Sequence, residues 1–262
     1  MRGPKRFVLG AFGALGFDAQ RRGRDWLFTR RPQPGQKDHG FAGFVPGPHL
    51  AGVLRRLGVS CVLDVGANTG QYAQGLRRLG YTGHIVSFEP SLRAHAELCR
   101  NAEGDPRWTT HRLALGSQQG TAELQVAAAS LFSSVLPRSA YSERRFRDSA
   151  RVVGREPVPM ERLDRILDDV TRPVQRPRLF LKLDTQGFDL EVFAGLGKRA
   201  GELLGLQSEL ACIPLYRGMP GMLEALATYE AHGFGVTGLF PVSRDPDSGR
   251  VIEFDCVMVK GP

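Results

Sequence analysis

The chain has 262 residues, 42% of them hydrophobic and 24% charged, enough for one large domain with a real core. No apolar run approaches the ~20 residues that cross a bilayer, so a spanning helix is not expected. The formal net charge is +8, and residues 1–37 carry nine basic side chains against Asp18 and Asp25, a net +7 of that total. The rest is almost neutral, which argues against a nucleic-acid groove spread over the fold. A basic segment of this kind suits peripheral contact with an anionic lipid or glycolipid surface, or a role in a homo-oligomer.

In chain order, the apolar stretch Phe7–Phe17 follows Lys5 and Arg6. Its glycines and the arginines at 21–24 favour a short helix over a secretory leader. Residues 1–50 are thus expected to form a basic, helical N-terminal extension, and 51–262 a single ligand-binding domain. Glycines and prolines at 40–48 mark a loop into a short helix at 49–57. Cys61-Val-Leu-Asp-Val then reads as a buried strand, Tyr72–Leu79 as a helix, and His84–Phe88 as a second strand closed by Glu89-Pro90. Ser91 caps the next helix, to about Asn101, and Trp108–Leu115 is a third strand. Thr121–Val126 is extended, residues 129–157 form a loop insertion with the character of a lid, Val158–Met160 is extended, and Glu161–Leu167 is helical. The α/β rhythm resumes with a strand at Leu179–Leu183, a helix from Asp189, a strand at Leu204–Leu210 and a helix at Gly221–Ala231. Phe234–Phe240 and Val251–Val259 close the chain as a hairpin around Asp245-Pro246-Asp247-Ser248-Gly249. Short apolar strands alternating with helices define an α/β fold: a Rossmann-like, seven-stranded, mostly parallel sheet ending in an antiparallel hairpin.

Cys61, Cys99, Cys212 and Cys256 stand far apart, with no Cys-x-x-Cys pair, so free and mostly buried thiols are expected, in keeping with a reducing cytoplasmic setting. His39 and His49 are candidates for the substrate entrance and His111 for the adenine side of a nucleotide site. His84 and His232 read as structural.

The strongest local signal is Asp64-Val-Gly66-Ala-Asn68-Thr-Gly70, which leaves a strand and opens a helix. Its glycines allow a tight turn and close approach to a ligand, and the helix N-terminus offers N–H groups to a carboxylate. Asp64 is suited to an ammonium. A ligand carrying both groups fits, as the methionine end of S-adenosyl-L-methionine does. Glu89 ends the second strand, where an acid accepts hydrogen bonds from both ribose hydroxyls. A nicotinamide nucleotide would satisfy Glu89 equally but fits the glycine spacing less well, leaving an oxidoreductase as the alternative.

These residues, with Ala114-Leu115-Gly116, Lys182-Leu-Asp184-Thr-Gln186-Gly187 and Glu191, resemble the FkbM family of methyltransferases from about Cys61 to Val259. Glu209, Tyr216, Gly233-Phe234 and Asp255 also stand where that family tends to have such residues. Arg112 departs from an Asn found in many relatives near the adenine edge. The resemblance implies a class I methyltransferase fold. It also implies S-adenosylmethionine-dependent O-methylation of a sugar, glycolipid, polysaccharide or glycosylated natural product, with another small-molecule acceptor as the alternative. The cofactor set is then Asp64, Gly66, Asn68, Gly70, Glu89 and Ala114. Lys182 and Asp184, two apart on one strand, face the same side at its ligand-binding end, and Glu209 closes the next strand. Asp184 is the first candidate for a general base, Glu209 the second, and Lys182 a balancing charge. Asp184 and Glu209 together are a candidate Mg2+ pair.

Overall fold

The computed structural model describes residues 17–22, 25–30 and 47–261. The chain divides into two units, residues 1–42 and 43–262. In the first, β1 (Phe17–Arg22) and β2 (Asp25–Arg30) form an antiparallel pair in which Arg22 faces Asp25. Within the extension, residues 17–22 and 25–30 are therefore a ribbon, not a helix. Two residues, Gly23-Arg24, separate the strands, and the Trp26-Leu27-Phe28-Thr29 run has the aromatic and β-branched character that favours pairing. The helix expected over Phe7–Phe17 lies almost wholly outside the described residues.

The second unit opens with α1 (Gly47–Arg56). There follow β3 (Cys61–Val65), α2 (Gln71–Arg78), β4 (His84–Phe88), α3 (Leu92–Ala102) and β5 (Trp108–His111). After an irregular region come α5 (Leu163–Thr171), β9 (Leu179–Leu183), α6 (Asp189–Ala194), β10 (Leu203–Ala211), α7 (Met222–Ala231), β11 (Phe234–Arg244) and β12 (Val251–Lys260). The main sheet has seven strands in the order β11-β12-β10-β9-β3-β4-β5. β12 inserts antiparallel between β11 and β10, and the other neighbours run parallel.

Every residue of β3, β4 and β9 is buried, as strands covered on both faces must be. Alternate side chains feed two cores. Leu63, Val65, Phe88, Leu181 and Leu183 pack with Leu163, Leu167, Phe193 and Tyr229. Val62, Ile85, Phe180 and Val257 pack with Leu50, Val53, Leu76 and Leu98.

The expected third strand, Trp108–Leu115, is broken. β5 stops at His111, Arg112 is exposed, and β6 (Ala114–Leu115) leaves to pair parallel with β8 (Val152–Glu161). β8 also pairs antiparallel with β7 (Gly120–Ala127), giving a three-stranded sheet. Residues 152–157 are thus strand, held by the ladder to β7, and the insertion is shorter than 129–157. It contains a 3-10 turn at Ser130–Phe132 and α4 (Ala140–Arg145), capped by Ser139, whose hydroxyl accepts from Ser142 N. All four cysteines are free; Cys61 and Cys256 are buried, whereas Cys99 is exposed.

Candidate active site

The C-terminal ends of β3, β4 and β9 meet at a cleft. Gly66, Asn68, Glu89 and Ala114 line it, together with Phe88, Leu113, Asp184 and the insertion residues Ser130, Leu131, Ser133, Ser134 and Val135. Asp64 and Gly70 do not line it.

The loop after β3 is built on left-handed backbone at Gly66 (φ 73), Asn68 (φ 48) and Gly70 (φ 93). A Cβ on Gly66 would fall 2.0 Å from the Asp184 carbonyl oxygen, and one on Gly70 would fall 2.8 Å from the Trp108 ring. The loop therefore lies directly on the end of β9, which side chains at these positions would prevent. Gly66 and Ala67 N–H donate to the Phe88 carbonyl. Asn68 N–H donates to Glu89 Oε2 and Ser91 N–H to Glu89 Oε1, each at 2.9 Å. Glu89 is 8% exposed, and burial pushes its carboxyl up to about 7 despite the two amides. From the insertion, Ser130 Oγ donates to Asn68 Oδ1 at 3.0 Å.

Beneath the loop, Asp64 is fully buried. Its Oδ1 lies 3.2 Å from Lys182 Nζ, and its Oδ2 accepts from Ser87 Oγ at 2.9 Å; that hydroxyl in turn accepts from Trp108 Nε1. Asp64 was expected to meet a ligand ammonium. Its cation is instead Lys182, because adjacent strands place Asp64 beside Lys182 in register, in the interior of the sheet. Lys182, expected as a balancing charge, lies between Asp64 and Asp184 and also braces the glycine loop: its ammonium donates to Gly66 O at 2.9 Å and sits 5.4 Å over the Tyr72 ring. Burial opposes its charge, but Asp184 and Asp64 override it and hold the ammonium above the usual lysine range.

Asp184 is the open member of the group, its side chain 40% exposed with Oδ2 3.4 Å from Lys182 Nζ. Gln186, in left-handed backbone (φ 55), donates its Nε2 to Asp184 Oδ1 at 3.0 Å and to Glu209 Oε2 at 3.3 Å. Its Oε1 and the Phe132 carbonyl oxygen compete for the Tyr216 hydroxyl proton, at 2.9 and 3.1 Å. The expected Mg2+ pair therefore does not fit: an amide joins the two carboxylates, and among the described residues no group of three metal-ligating side chains could hold an ion. Gln186 thus organises both candidate acids.

Other expectations resolve simply. His111 stacks on Phe88, a wall of the cleft, at 5.3 Å. His49 bonds Thr237 Oγ1 at 3.0 Å and packs on Phe240, a structural position, and His39 lies outside the described residues. The insertion residues on the cleft wall, Ser130, Leu131 and Ser133 to Val135, carried only a general signal in sequence, the polar insertion itself. No sequence signal marks the Trp108–Ser87–Asp64 chain.

A parallel sheet with an inserted antiparallel last strand, a glycine loop on the end of its central strand and an acid closing the next strand define a class I S-adenosylmethionine-dependent methyltransferase. The Methyltransferase FkbM domain family model matches residues 64–207, more than half of the chain, and the chain belongs to this family. No curated protein matches. Among solved structures, the chain is similar to magnesium protoporphyrin IX methyltransferase from Synechocystis PCC 6803, with TM-score 0.43, 11% identity, and 82% of this chain and 77% of that chain covered. It is similar to an rRNA methylase from Streptococcus thermophilus, with TM-score 0.41, 11% identity, and coverage of 82% and 95%. It is also similar to precorrin-6y C5,15-methyltransferase from Geobacter metallireducens GS-15, with TM-score 0.41, 12% identity, and coverage of 80% and 87%. At such identities the acceptors named for these proteins say nothing of this one.

Proposed function

We propose that the chain methylates a hydroxyl of a saccharide, whether free or in a glycolipid, polysaccharide or glycosylated natural product, with Asp184 as general base. The carrying observation is the partly open Asp184 carboxylate at the cleft, restrained by Lys182 and Gln186 with Glu209 beside it. The glycine loop and Glu89 suit S-adenosylmethionine: Gly66 lines the cleft with backbone alone, and Glu89 presents a buried carboxylate to it. Gly66, Asn68, Glu89 and Ala114 would hold the cofactor, with Asp64 and Lys182 shaping the loop from below. When bound, the cofactor supplies the methyl group. The chain's part is to align the acceptor oxygen and to receive its proton at Asp184. Residues 1–37 are assigned to peripheral contact with a membrane or glycolipid surface or to self-association, and the setting to the cytoplasm. Among the described residues no helix is long and apolar enough to cross a membrane.

Asp184→Asn keeps the shape and removes the charge. Methyl transfer to a panel of saccharides should fall roughly a hundredfold or more, the scale of a lost proton acceptor, with S-adenosylhomocysteine affinity little changed. Near-native turnover in the folded variant refutes the assignment.

A further inference from the structure

Among the described residues eight large hydrophobic side chains are exposed, and four of them, Leu92, Leu131, Val152 and Val153, gather around the mouth of the cleft. The backbone explains the grouping. Leu131 lines the cleft, as does Pro90, two residues before Leu92. Leu92 N–H donates to the Glu156 carboxylate, which ties the start of α3 to β8. Val152 opposes Ala127 across the ladder, Ala128 N–H donates to Arg151 O, and Ala129 N–H donates to Ser149 O. The start of β8 therefore lies beside the turn that carries Leu131. Phe132 and Ala150 share a small apolar cluster there. Leu131, Val152 and Val153 stay outside it, in water.

Arginines stand among these side chains. Residues 144–151 hold Arg144, Arg145, Arg147 and Arg151 against Asp148 alone, in a chain almost neutral outside residues 1–37, and Arg93 follows Leu92. Arg93, Arg144, Arg147 and Arg151 are exposed, and among the described residues none of them forms an ion pair.

Two kinds of surface are thus interleaved on one rim, and a partner must suit both. Single aliphatic side chains gain by leaving water, and unpaired guanidiniums gain by meeting phosphate. A nucleic acid would satisfy the arginines and leave the aliphatics in water. An anionic bilayer offers acyl chains to the one and phosphates to the other. We propose that this rim docks residues 43–262 on an anionic bilayer with the cleft mouth facing the lipid, by a contact distinct from residues 1–37. A saccharide carried on a lipid would then reach Asp184 while its lipid stays in the bilayer. That consequence rests on the O-methyltransferase reading above; the docking itself does not.

The test titrates the full chain with vesicles of phosphatidylcholine alone and with vesicles of equal parts phosphatidylcholine and phosphatidylglycerol, and reads the fraction that sediments. The anionic vesicles should bind roughly tenfold or more tightly than the neutral ones, with the difference shrinking as salt rises. Val153→Asp and the double variant Arg147→Gln/Arg151→Gln leave residues 1–37 intact. Each should weaken binding to the anionic vesicles roughly tenfold at unchanged S-adenosylhomocysteine affinity, and either suffices if the other fails to fold. Absence of binding, equal binding to the two vesicles, or binding that survives in a folded variant overturns the proposal. Self-association of the vesicle-free chain that either variant abolishes would make the rim a contact between copies and overturns it too. Failure of the native chain to bind S-adenosylhomocysteine would instead count against the methyltransferase reading and leave the vesicle result standing.

Discussion

Gly66→Ala tests the central geometric claim, that the cofactor loop rests on the end of β9. Two costs combine. Gly66 has φ +73, where an L side chain costs ~1–2 kcal/mol. The added Cβ would also lie 2.0 Å from the Asp184 carbonyl oxygen and 2.8 Å from its carbon, backbone atoms that no rotamer change can move. Overpacking of this kind costs ~1–3 kcal/mol. The total, ~2–5 kcal/mol, corresponds to a Tm lowered by roughly 4–20 °C for a unit of this size. Relief must come from the loop parting from β9, which carries Asp184 with it, so S-adenosylhomocysteine affinity should also fall by about tenfold or more, as expected when a preorganised site is displaced. Gly80→Ala is the control: its φ is +84, but nothing lies within 4 Å of the added carbon, so it bears the backbone strain alone. Calorimetric unfolding and titration of both variants decide the matter. Equal stability of the two variants with native cofactor affinity in Gly66→Ala would refute the close approach.

Glu89→Ala removes the acceptor of two loop amides as well as the acid facing the cleft, so S-adenosylhomocysteine affinity should drop roughly tenfold or more; unchanged titration of the folded variant would show that Glu89 only ties the loop. The raised carboxyls give a pH signature for the ligand-free protein. Glu89 at about 7, Asp255 at about 6 and Glu253 at about 8 hold protons in the native state that the unfolded chain releases near pH 4 to 5, so stability should fall as pH rises from about 4 to about 8 and level off above. Urea midpoints that rise across this window would contradict the burial of these acids. Deleting residues 1–42, a separate unit, should leave S-adenosylhomocysteine affinity intact; its loss in a soluble, monodisperse deletion would tie that unit to the site.

Local sequence reaches a good part of this protein. The mostly apolar runs Cys61–Val65, His84–Phe88 and Leu179–Leu183 read as central strands because strands covered on both faces are near-continuously hydrophobic. The turn at Asp245–Gly249 was legible from its residues, and its Asp245 carboxylate does accept from Ser248 N–H. The loop over Asp64–Gly70 was legible because a strand followed by spaced glycines and a helix has few other uses.

What stayed hidden depended on partners distant in sequence. Val152–Pro157 carries no clean alternation, and it is strand because β7 supplies the ladder. Asp64 was assigned to a ligand ammonium from the glycine motif that it opens, without sight of its partner. Register between β3 and β9 sets it beside Lys182 in the interior, where each satisfies the other. The roles of Gln186 and Tyr216 arise only once the insertion, β9 and β10 converge. Sequence by itself determined the strands, the glycine loop and the acids at strand ends, since these are properties of short segments. Tertiary structure alone decided which charges are spent on one another and which remain for a ligand, because that depends on desolvation and on neighbours more than a hundred residues away.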